Sequence, residues 1–299
     1  MSKDILILVG PTRTSTTSLF RYLSSLNEFL PSKVKETNFF IHNDVDSVAK
    51  YVELFEKGDG VLLEASPLYF LHDLLLPKRI KLLRELGYSV KVVITLRDPV
   101  ERFWSLYKHI ITKRSQGKHP LIEDFVKSNI DAVNLSAESC DIDFLSLSES
   151  CYSNKIKSWV ENLGAENIRI TFFENLTDPK LFSLEMQEMF KWLNLDVPAE
   201  FSDMLFENKS TLVKRKGLHK FALKVNDNLE PVLNRFPFVR SIARNIYYSY
   251  NAKEEAAIID ESLTRLVENA CVQGNYNVVN NLNGLLFSKE LPAWVDRYR

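Results

Sequence analysis

A short apolar run near the start of the chain, ended at once by glycine and proline, constrains the fold most strongly. Residues 5–9 read Ile-Leu-Ile-Leu-Val, and Gly10 and Pro11 follow them. Such a run, rich in branched side chains, is typical of a strand that is buried on both faces in a parallel sheet. From Thr16 onward, apolar residues recur at helical spacing, namely Leu19, Tyr22, Leu23 and Leu26. The order strand, loop, helix predicts the start of a βαβ unit.

Further apolar runs of the same kind follow, and helical patterns separate them. The runs cover residues 61–63, 90–96 and 168–173, whereas residues 77–86 and 152–163 have helical spacing. This alternation predicts an α/β fold with a doubly wound, parallel central sheet that is flanked by helices.

The later part of the chain changes character and becomes mostly helical in pattern. Residues 180–193, 218–225 and 252–271 all have apolar residues at helical intervals. Residues 116–149 have weak periodicity and several Ser, Asn and Asp residues, so we expect a mobile or substrate-facing segment there. Because the chain has no repeat and no Gly/Ser linker, the sequence predicts a single domain over residues 1–299.

Composition narrows the classes of partner. The 38 Lys and Arg residues nearly balance the 39 Asp and Glu residues, so nothing indicates a nucleic-acid or membrane partner, and any anion site must be local. The cysteines Cys140, Cys151 and Cys271 form no CxxC pattern, which favours a reducing compartment over disulfides or zinc. The apolar run 5–9 is too short for a signal sequence or a membrane span. We therefore expect a cytoplasmic protein, whose oligomeric state the sequence leaves open.

The loop at residues 10–19 is a candidate anion site. It contains four threonines, two serines and Arg13 at the point where a strand leads into a helix. Backbone N–H groups and the positive end of the helix dipole converge at such a point, and the hydroxyls and the guanidinium add further donors. The alternative is that the hydroxyls simply cap the helix, although one residue would suffice for that. The composition of the loop favours a phosphate.

The same loop departs from the ATP-binding P-loop. That motif, GxxxxGK[ST], has a second glycine and then a lysine, where this chain has Ser15 and Thr16. The cation of the loop is Arg13, closer to the first glycine. A nucleotide phosphate that needs no metal is therefore the better hypothesis than a magnesium-dependent kinase.

A second candidate anchor follows the apolar run 90–96. Arg97 comes directly after it, at the carboxyl end of a predicted strand, where open α/β sheets bind their ligands. Asp98 and Pro99 are typical of the first positions of a helix, and Ser105 lies two turns into that helix. For Arg97 alone, a surface salt bridge would be the ordinary interpretation.

These two segments resemble a known family. VGPTRTSTTSL is similar to the 5′-phosphosulfate-binding loop of sulfotransferases that use 3′-phosphoadenosine 5′-phosphosulfate (PAPS), and LRDPVERFWSLYKH resembles their 3′-phosphate-binding segment. The resemblance continues through KETNFF, EASPLYF, CYSNKIKSWVENLGAENIRITFFENL and LPAW, so it spans nearly the whole chain. It implies a P-loop-like α/β fold and an enzyme that takes PAPS as donor and releases PAP, without a metal.

The resemblance assigns a role to each matched residue. Arg13 takes the place of the basic residue of the loop, and Tyr152 matches a tyrosine near the cofactor. The residues that would bind the 5′-phosphate are Thr14, Ser15, Thr16, Thr17 and Ser18. The pair that would bind the 3′-phosphate is Arg97 and Ser105. The basic residues that would close over the donor, with a solvated charge run as the equal alternative, are Lys214, Arg215 and Lys216.

Sulfonate transfer needs a base for the acceptor and positive charge for the leaving group. Arg13 would stabilise the leaving group, and Glu36 in KETNFF matches the base of the carbohydrate branch of the family. An exposed loop carboxylate is the alternative for Glu36. Histidine is the base in the small-molecule branch; the candidates are His72, our second choice, and then His42 and His109. Ala65 stands where several heparan-type members have lysine, which leaves a second catalytic cation in doubt.

The acceptor is the least constrained part of the hypothesis. The glutamate motif favours in-line transfer to a hydroxyl or amine of a carbohydrate, whereas the balanced charge gives no support for a highly sulfated polyanion. A small natural product, with a histidine base, stays open. The rivals are a P-loop kinase, for which the strand end at Glu64 would supply the acid, and a nucleotide-binding protein that transfers nothing.

Overall fold

The computed structural model describes residues 4–43, 47–113, 121–133, 145–202, 212–213, 252–253, 260–276, 278–288 and 290–299. The strands are β1 (Asp4–Val9), β2 (Phe29–Pro31), β3 (Val61–Ala65), β4 (Ser89–Leu96), β5 (Ile168–Phe172), β6 (Leu212–Val213) and β7 (Ala252–Lys253). The helices are α1 (Thr16–Ser24), α2 (Phe39–His42), α3 (Val48–Val52), α4 (Leu76–Glu85), α5 (Pro99–Lys113), α6 (Ile122–Asp131), α7 (Ser146–Glu149), α8 (Ser153–Leu163), α9 (Phe173–Thr177), α10 (Pro179–Leu193), α11 (Glu261–Asn275) and α12 (Val278–Leu282). Short 3-10 helices are Pro67–Phe70, Ala165–Asn167 and Ala293–Tyr298.

The central sheet is parallel, as the sequence predicts. Among the described residues, five strands pair in the order β2-β3-β1-β4-β5, and β1 lies between β3 and β4. From β1 the chain proceeds toward β2 on one side, and from β4 it proceeds toward β5 on the other. The carboxyl ends of β1 and β4 therefore form the switch point at which doubly wound sheets bind ligands.

Helices cover both faces of the sheet, which explains why every residue of β1 after Asp4 is apolar. Ile5, Ile7 and Val9 pack in a core with α4, α5, α8 and α11. Leu6 and Leu8 point to the opposite face and pack with α1 and α10. Because successive side chains of a strand alternate between faces, a strand between two helical layers must be apolar throughout.

Two elements differ from the sequence-based predictions. Strand β2 was not predicted, because three residues carry no readable periodicity. The helix predicted for residues 252–271 was wrong at its start, since β7 pairs antiparallel with β6 and the helix begins at Glu261. Asp260 fixes that start, because its carboxylate accepts a hydrogen bond from Ser262 N at 2.7 Å. The helix predicted for residues 218–225 lies outside the described residues.

The segment expected to face the substrate, residues 116–149, contains packed helix where it is described. Phe125 of α6 is fully buried, and its ring centroid lies 5.2 Å from that of Phe103 and 5.1 Å from that of Tyr107, both on α5. The expectation of mobility was therefore wrong for α6, which contributes to the core. A substrate-facing role of the segment stays a prediction, and residues 116–120 and 134–144 lie outside the described residues. None of the helices in the described ranges is long and apolar enough to cross a membrane.

Candidate active site

The loop after β1 is held tightly against β4. Gly10 has a φ of 146°, and a Cβ atom there would lie 2.4 Å from the carbonyl oxygen of Thr95. Arg13 and Ser15 both adopt the left-handed conformation, with φ values of 72° and 70°. Left-handed residues in a loop turn neighbouring N–H groups into a concave surface, and α1 begins at Thr16 directly after them. Backbone donors and a helix N-terminus are thus combined at the carboxyl end of β1.

The hydroxyls of this loop have different surroundings. Thr14 Oγ1 donates to the carbonyl of Pro11 at 2.7 Å, lies 2.7 Å from Thr95 Oγ1, and is fully buried. The Thr14 hydroxyl is therefore internal and already bonded, and the donation of Thr14 to a 5′-phosphate, which stays a prediction, would fall to its backbone N–H. Thr16 and Ser18 are also buried, whereas Ser15 and Thr17 keep part of their surface exposed. These last two are the accessible hydroxyls of the predicted set.

Arg13 reaches from the loop to helix α5. Its Nε donates to Ser105 Oγ at 3.2 Å. Burial, together with the nearby charge of Arg97, lowers the pKa of Arg13 to about 10. The lowered pKa means that the positive charge of Arg13 costs free energy at this position, and a bound anion would offset this cost. The structure thus brings Arg13 close to Arg97 and Ser105, which come much later in the sequence.

Arg97 lies at the end of β4, and the residues around it fix its position. Its guanidinium stacks 4.3 Å from the ring centroid of Phe173 and lies 3.8 Å from the Glu101 carboxylate. Burial lowers the pKa of Arg97, although Glu101 and Glu174 oppose the shift. As predicted, Asp98 caps α5, because its carboxylate accepts a hydrogen bond from Val100 N at 2.9 Å.

Tyr152 supports Arg97 from behind. Its hydroxyl donates to the Arg97 carbonyl oxygen at 2.8 Å, and its ring contacts that of Trp294 edge-on. The side chain is fully buried, so it offers no surface to a cofactor. Tyr152 thus holds the backbone of Arg97, and its place near the cofactor stays a prediction.

Glu36 is placed at the same edge of the sheet. Its backbone N–H donates to the Ala65 carbonyl oxygen at 3.0 Å, and Ala65 pairs in register with Leu8 of β1. The carboxylate forms an ion pair with Lys35, yet its side chain is 47% exposed. Glu36 also adopts a positive φ of 63°. A half-exposed carboxylate, on a backbone fixed beside the end of β1, is accessible to an acceptor.

A buried carboxylate, Glu64, organises the segment that carries Glu36. It is fully buried and accepts hydrogen bonds from Tyr51, Thr37 and Ser66. Burial, and after it the charge of Glu64, raises the pKa of Tyr51 and Tyr69. Because these contacts join distant parts of the chain, sequence reasoning missed them and treated Glu64 only as the acid of a rival kinase. The apolar strand that ends in an acid was the available signal.

Of the remaining predicted residues, His72 is described and the late basic residues are not. His72 is partly buried just before α4, and its carbonyl oxygen accepts a hydrogen bond from Leu76 N at 2.9 Å. The basic residues Lys214, Arg215 and Lys216 lie outside the described residues. Neither their contact with a donor nor a charge run in solvent is tested.

Comparison in sequence finds a distant relative that is much longer. No protein-family model matches the chain. The bifunctional heparan sulfate N-deacetylase/N-sulfotransferase 1 of Caenorhabditis elegans is 25% identical over 227 residues. The match covers 72% of this chain and 24% of that protein, so the chain spans about a quarter of its length.

Comparison of the folds finds a solved structure that the alignment covers almost completely. The crystal structure of a sulfotransferase from Alicyclobacillus acidocaldarius superimposes with a TM-score of 0.54 at 19% identity, and the alignment covers 78% of this chain and 97% of that one. The chain has the sulfotransferase fold. A mouse sulfotransferase, SULT7A1, solved as a complex with PAP, matches with a TM-score of 0.45 at 14% identity over 66% of this chain and 61% of that one.

This match confirms the P-loop-like α/β fold that the resemblance implies. In this sulfotransferase fold, the loop at residues 10–19 and the segment that begins at Arg97 follow neighbouring strands of one sheet. Glu36 lies beside the third strand end of the same edge. A ligand at the switch point would therefore meet two partly buried arginines and one accessible carboxylate.

Proposed function

We propose that this chain is a PAPS-dependent sulfotransferase that transfers a sulfonate group to a hydroxyl or amine of a carbohydrate. The observation that carries the proposal is the convergence of Arg13 and Arg97, from the ends of adjacent parallel strands. Both arginines are partly buried, and burial, together with the charge of Arg97, lowers the pKa of Arg13. A nucleotide with phosphates at its 3′ and 5′ positions has anions for both.

The residues divide between the two ends of such a donor. The backbone donors of the loop, with Arg13, Ser15 and Thr17, would hold the 5′ side. Arg97 and Ser105 would hold the 3′-phosphate, and Tyr152 keeps Arg97 in place through its carbonyl. When bound, the donor supplies the activated sulfonate group. Arg13 would stabilise the charge that develops on the 5′-phosphate as it leaves.

Glu36 would act as the general base. Its exposed carboxylate can accept the proton of an acceptor hydroxyl or amine, and its backbone is held to β3 by the Ala65 carbonyl. The acceptor atom would then attack the sulfur from the side opposite the 5′-phosphate, in an in-line displacement. Lys35, the ion-pair partner of Glu36, would keep the carboxylate beside the acceptor.

The carbohydrate acceptor rests on the sequence relative. That protein is named for the N-sulfation of heparan sulfate, and its similarity to this chain favours an amino sugar over a phenol. Arg13, Ser105 and Glu36 are compatible with either acceptor, because they act on the donor and on a proton. The choice of acceptor therefore needs a direct assay.

The test is incubation of the purified chain with PAPS and two acceptor sets, glucosamine-containing oligosaccharides and small phenols, followed by mass spectrometry. We expect a gain of one sulfonate on the sugar and release of PAP in equal amount. Sulfation of phenols alone would contradict the carbohydrate acceptor and favour the small-molecule alternative. Magnesium-dependent phosphate transfer from ATP, or PAPS binding without any transfer, would contradict the proposed enzyme.

A further inference from the structure

A buried ion pair lies beneath the loop after β1. Arg102 of α5 and Glu149 of α7 are almost fully buried, and Arg102 Nη1 lies 2.8 Å from Glu149 Oε2. Arg102 also donates to Ser150 Oγ, from Nε at 3.0 Å and from Nη2 at 2.7 Å. Burial of two charges gains little stability over well-packed apolar residues, because desolvation offsets their attraction. The ion pair is therefore better explained by the neighbouring groups that it holds in place than by a gain in stability.

Thr12 connects this pair to the loop. Its Oγ1 donates to Glu149 Oε2 at 2.7 Å, and its backbone N–H lies 3.4 Å from Glu149 Oε1. Arg102 Nη1 donates to the Thr12 carbonyl oxygen at 3.3 Å. The side chain and both backbone polar groups of Thr12 are thus held by one buried pair. Thr12 immediately precedes Arg13, whose left-handed backbone is unfavourable for a residue with a Cβ atom.

The loop is tied to α5 at two adjacent residues. Thr12 contacts Arg102, and Arg13 contacts Ser105, which lies one helical turn further along the same helix. Helix α5 starts at Pro99, two residues after Arg97, the candidate anchor of the 3′-phosphate. A shift of Thr12 would therefore move Arg13 relative to Arg97, and with it the spacing of the two phosphate anchors.

We infer that Thr12, Glu149 and Arg102 are positioning residues that set the loop for the 5′-phosphate of the nucleotide. They are not expected to touch the ligand; they fix the backbone from which Arg13 and the loop N–H groups do so. The inference rests on the proposed function, because it presumes a nucleotide with a 5′-phosphate in the loop. It predicts that a change at Thr12 weakens the binding only of ligands that carry a 5′-phosphate.

The test uses Thr12→Val, which keeps the shape of the side chain, removes its donor and leaves the ion pair in place. Calorimetric titration compares adenosine 3′,5′-bisphosphate, adenosine 5′-monophosphate and adenosine 3′-monophosphate. We expect Thr12→Val to lower the affinity for the two ligands with a 5′-phosphate by about fivefold to tenfold, the loss typical of one hydrogen bond. The affinity for adenosine 3′-monophosphate should be unchanged. Thr12→Ser retains the hydroxyl and should restore wild-type binding, and Thr264→Val on α11 is the matched control.

The outcomes separate this inference from the proposed function. If the wild-type chain does not bind adenosine 3′,5′-bisphosphate, the proposed function fails and the inference fails with it. If the wild-type chain binds the bisphosphate and Thr12→Val binds each of the three ligands as tightly as the wild type does, the inference alone is overturned. An equal loss for all three ligands would also overturn it, because general destabilisation would then explain the defect. Thermal unfolding of each variant measures that destabilisation independently.

Discussion

Arg13 Nε donates to Ser105 Oγ at 3.2 Å, and this hydrogen bond joins the loop after β1 to the helix after β4. Arg13 is the predicted cation of the 5′ side, and Ser105 is a predicted ligand of the 3′-phosphate. Their contact means that the two anchors are parts of one continuous surface. A substitution on either side should therefore affect the whole nucleotide site.

Replacement of Arg13 is expected to abolish most transfer activity. Arg13→Ala removes the charge that would stabilise the leaving phosphate, and loss of one such group lowers kcat by about 10²–10³-fold. Steady-state kinetics with PAPS measures the effect. Arg21→Ala, an exposed arginine of the adjoining helix α1, is the control and should keep wild-type kinetics. Equal activity of Arg13→Ala and wild type would contradict the assigned role.

Glu36 and His72 can be separated by paired substitutions. Glu36→Gln keeps the size of the side chain but cannot accept the proton, so kcat should fall by about 10²–10⁴-fold while donor binding is unchanged. The measurements are initial rates and calorimetric titration with adenosine 3′,5′-bisphosphate. Glu56→Gln replaces an exposed carboxylate and serves as control. Full activity of Glu36→Gln, with loss of activity in His72→Ala, would show that the base was assigned wrongly.

Gly10 offers a test of the tight contact between the loop and β4. In Gly10→Ala, the new methyl would lie 2.4 Å from the Thr95 carbonyl oxygen, in addition to the cost of a positive φ. Overpacking of this kind costs about 1–3 kcal/mol of unfolding free energy. Gly284→Ala is a matched control, because its φ is also positive, at 74°, and nothing lies within 4 Å of the new atom. Denaturant unfolding should show the larger loss for Gly10→Ala; equal losses would contradict the predicted clash.

The buried carboxyl of Glu185 should make the stability of the fold depend on pH. Burial raises the pKa of this carboxyl, even though Asn175 donates to it at 2.9 Å. The folded protein therefore holds the proton to higher pH than the unfolded chain, and stability falls as the pH rises from the ordinary value of 4.5 through the raised pKa. Glu185→Gln removes the buried charge, so it should melt at a higher temperature than wild type at pH 7. Thermal melts should show this gap shrinking toward pH 4.5, and a gap independent of pH would contradict the shift.

The sheet and its anchors were predictable because they depend on local pattern. The run at residues 5–9 must be apolar on both faces, and Asp98 and Pro99 are the ordinary start of a helix. The sequence alone therefore placed the loop after β1 and the start of α5. Strand β2 could not be found in this way, because three residues contain no period. A resemblance to a family was also needed to distinguish Glu36 from any other loop carboxylate.

The supports of the site could not be predicted from local pattern. Thr12 and Glu149 are 137 positions apart, and Glu64 meets Thr37 and Tyr51 through the packing of separate segments. Only the fold brings such groups together. The same reason applies to the buried hydroxyl of Thr14, because nothing in a run of hydroxyls shows which of them turns inward.

The most direct test of the central claim is a competitive titration of adenosine 3′,5′-bisphosphate against ADP without added metal. Charge-assisted contacts of Arg97 and Ser105 with a 3′-phosphate contribute about 1.5–3 kcal/mol, so the bisphosphate should bind at least about tenfold more tightly. ADP that binds as tightly or more tightly, or binding that requires magnesium, would contradict the account.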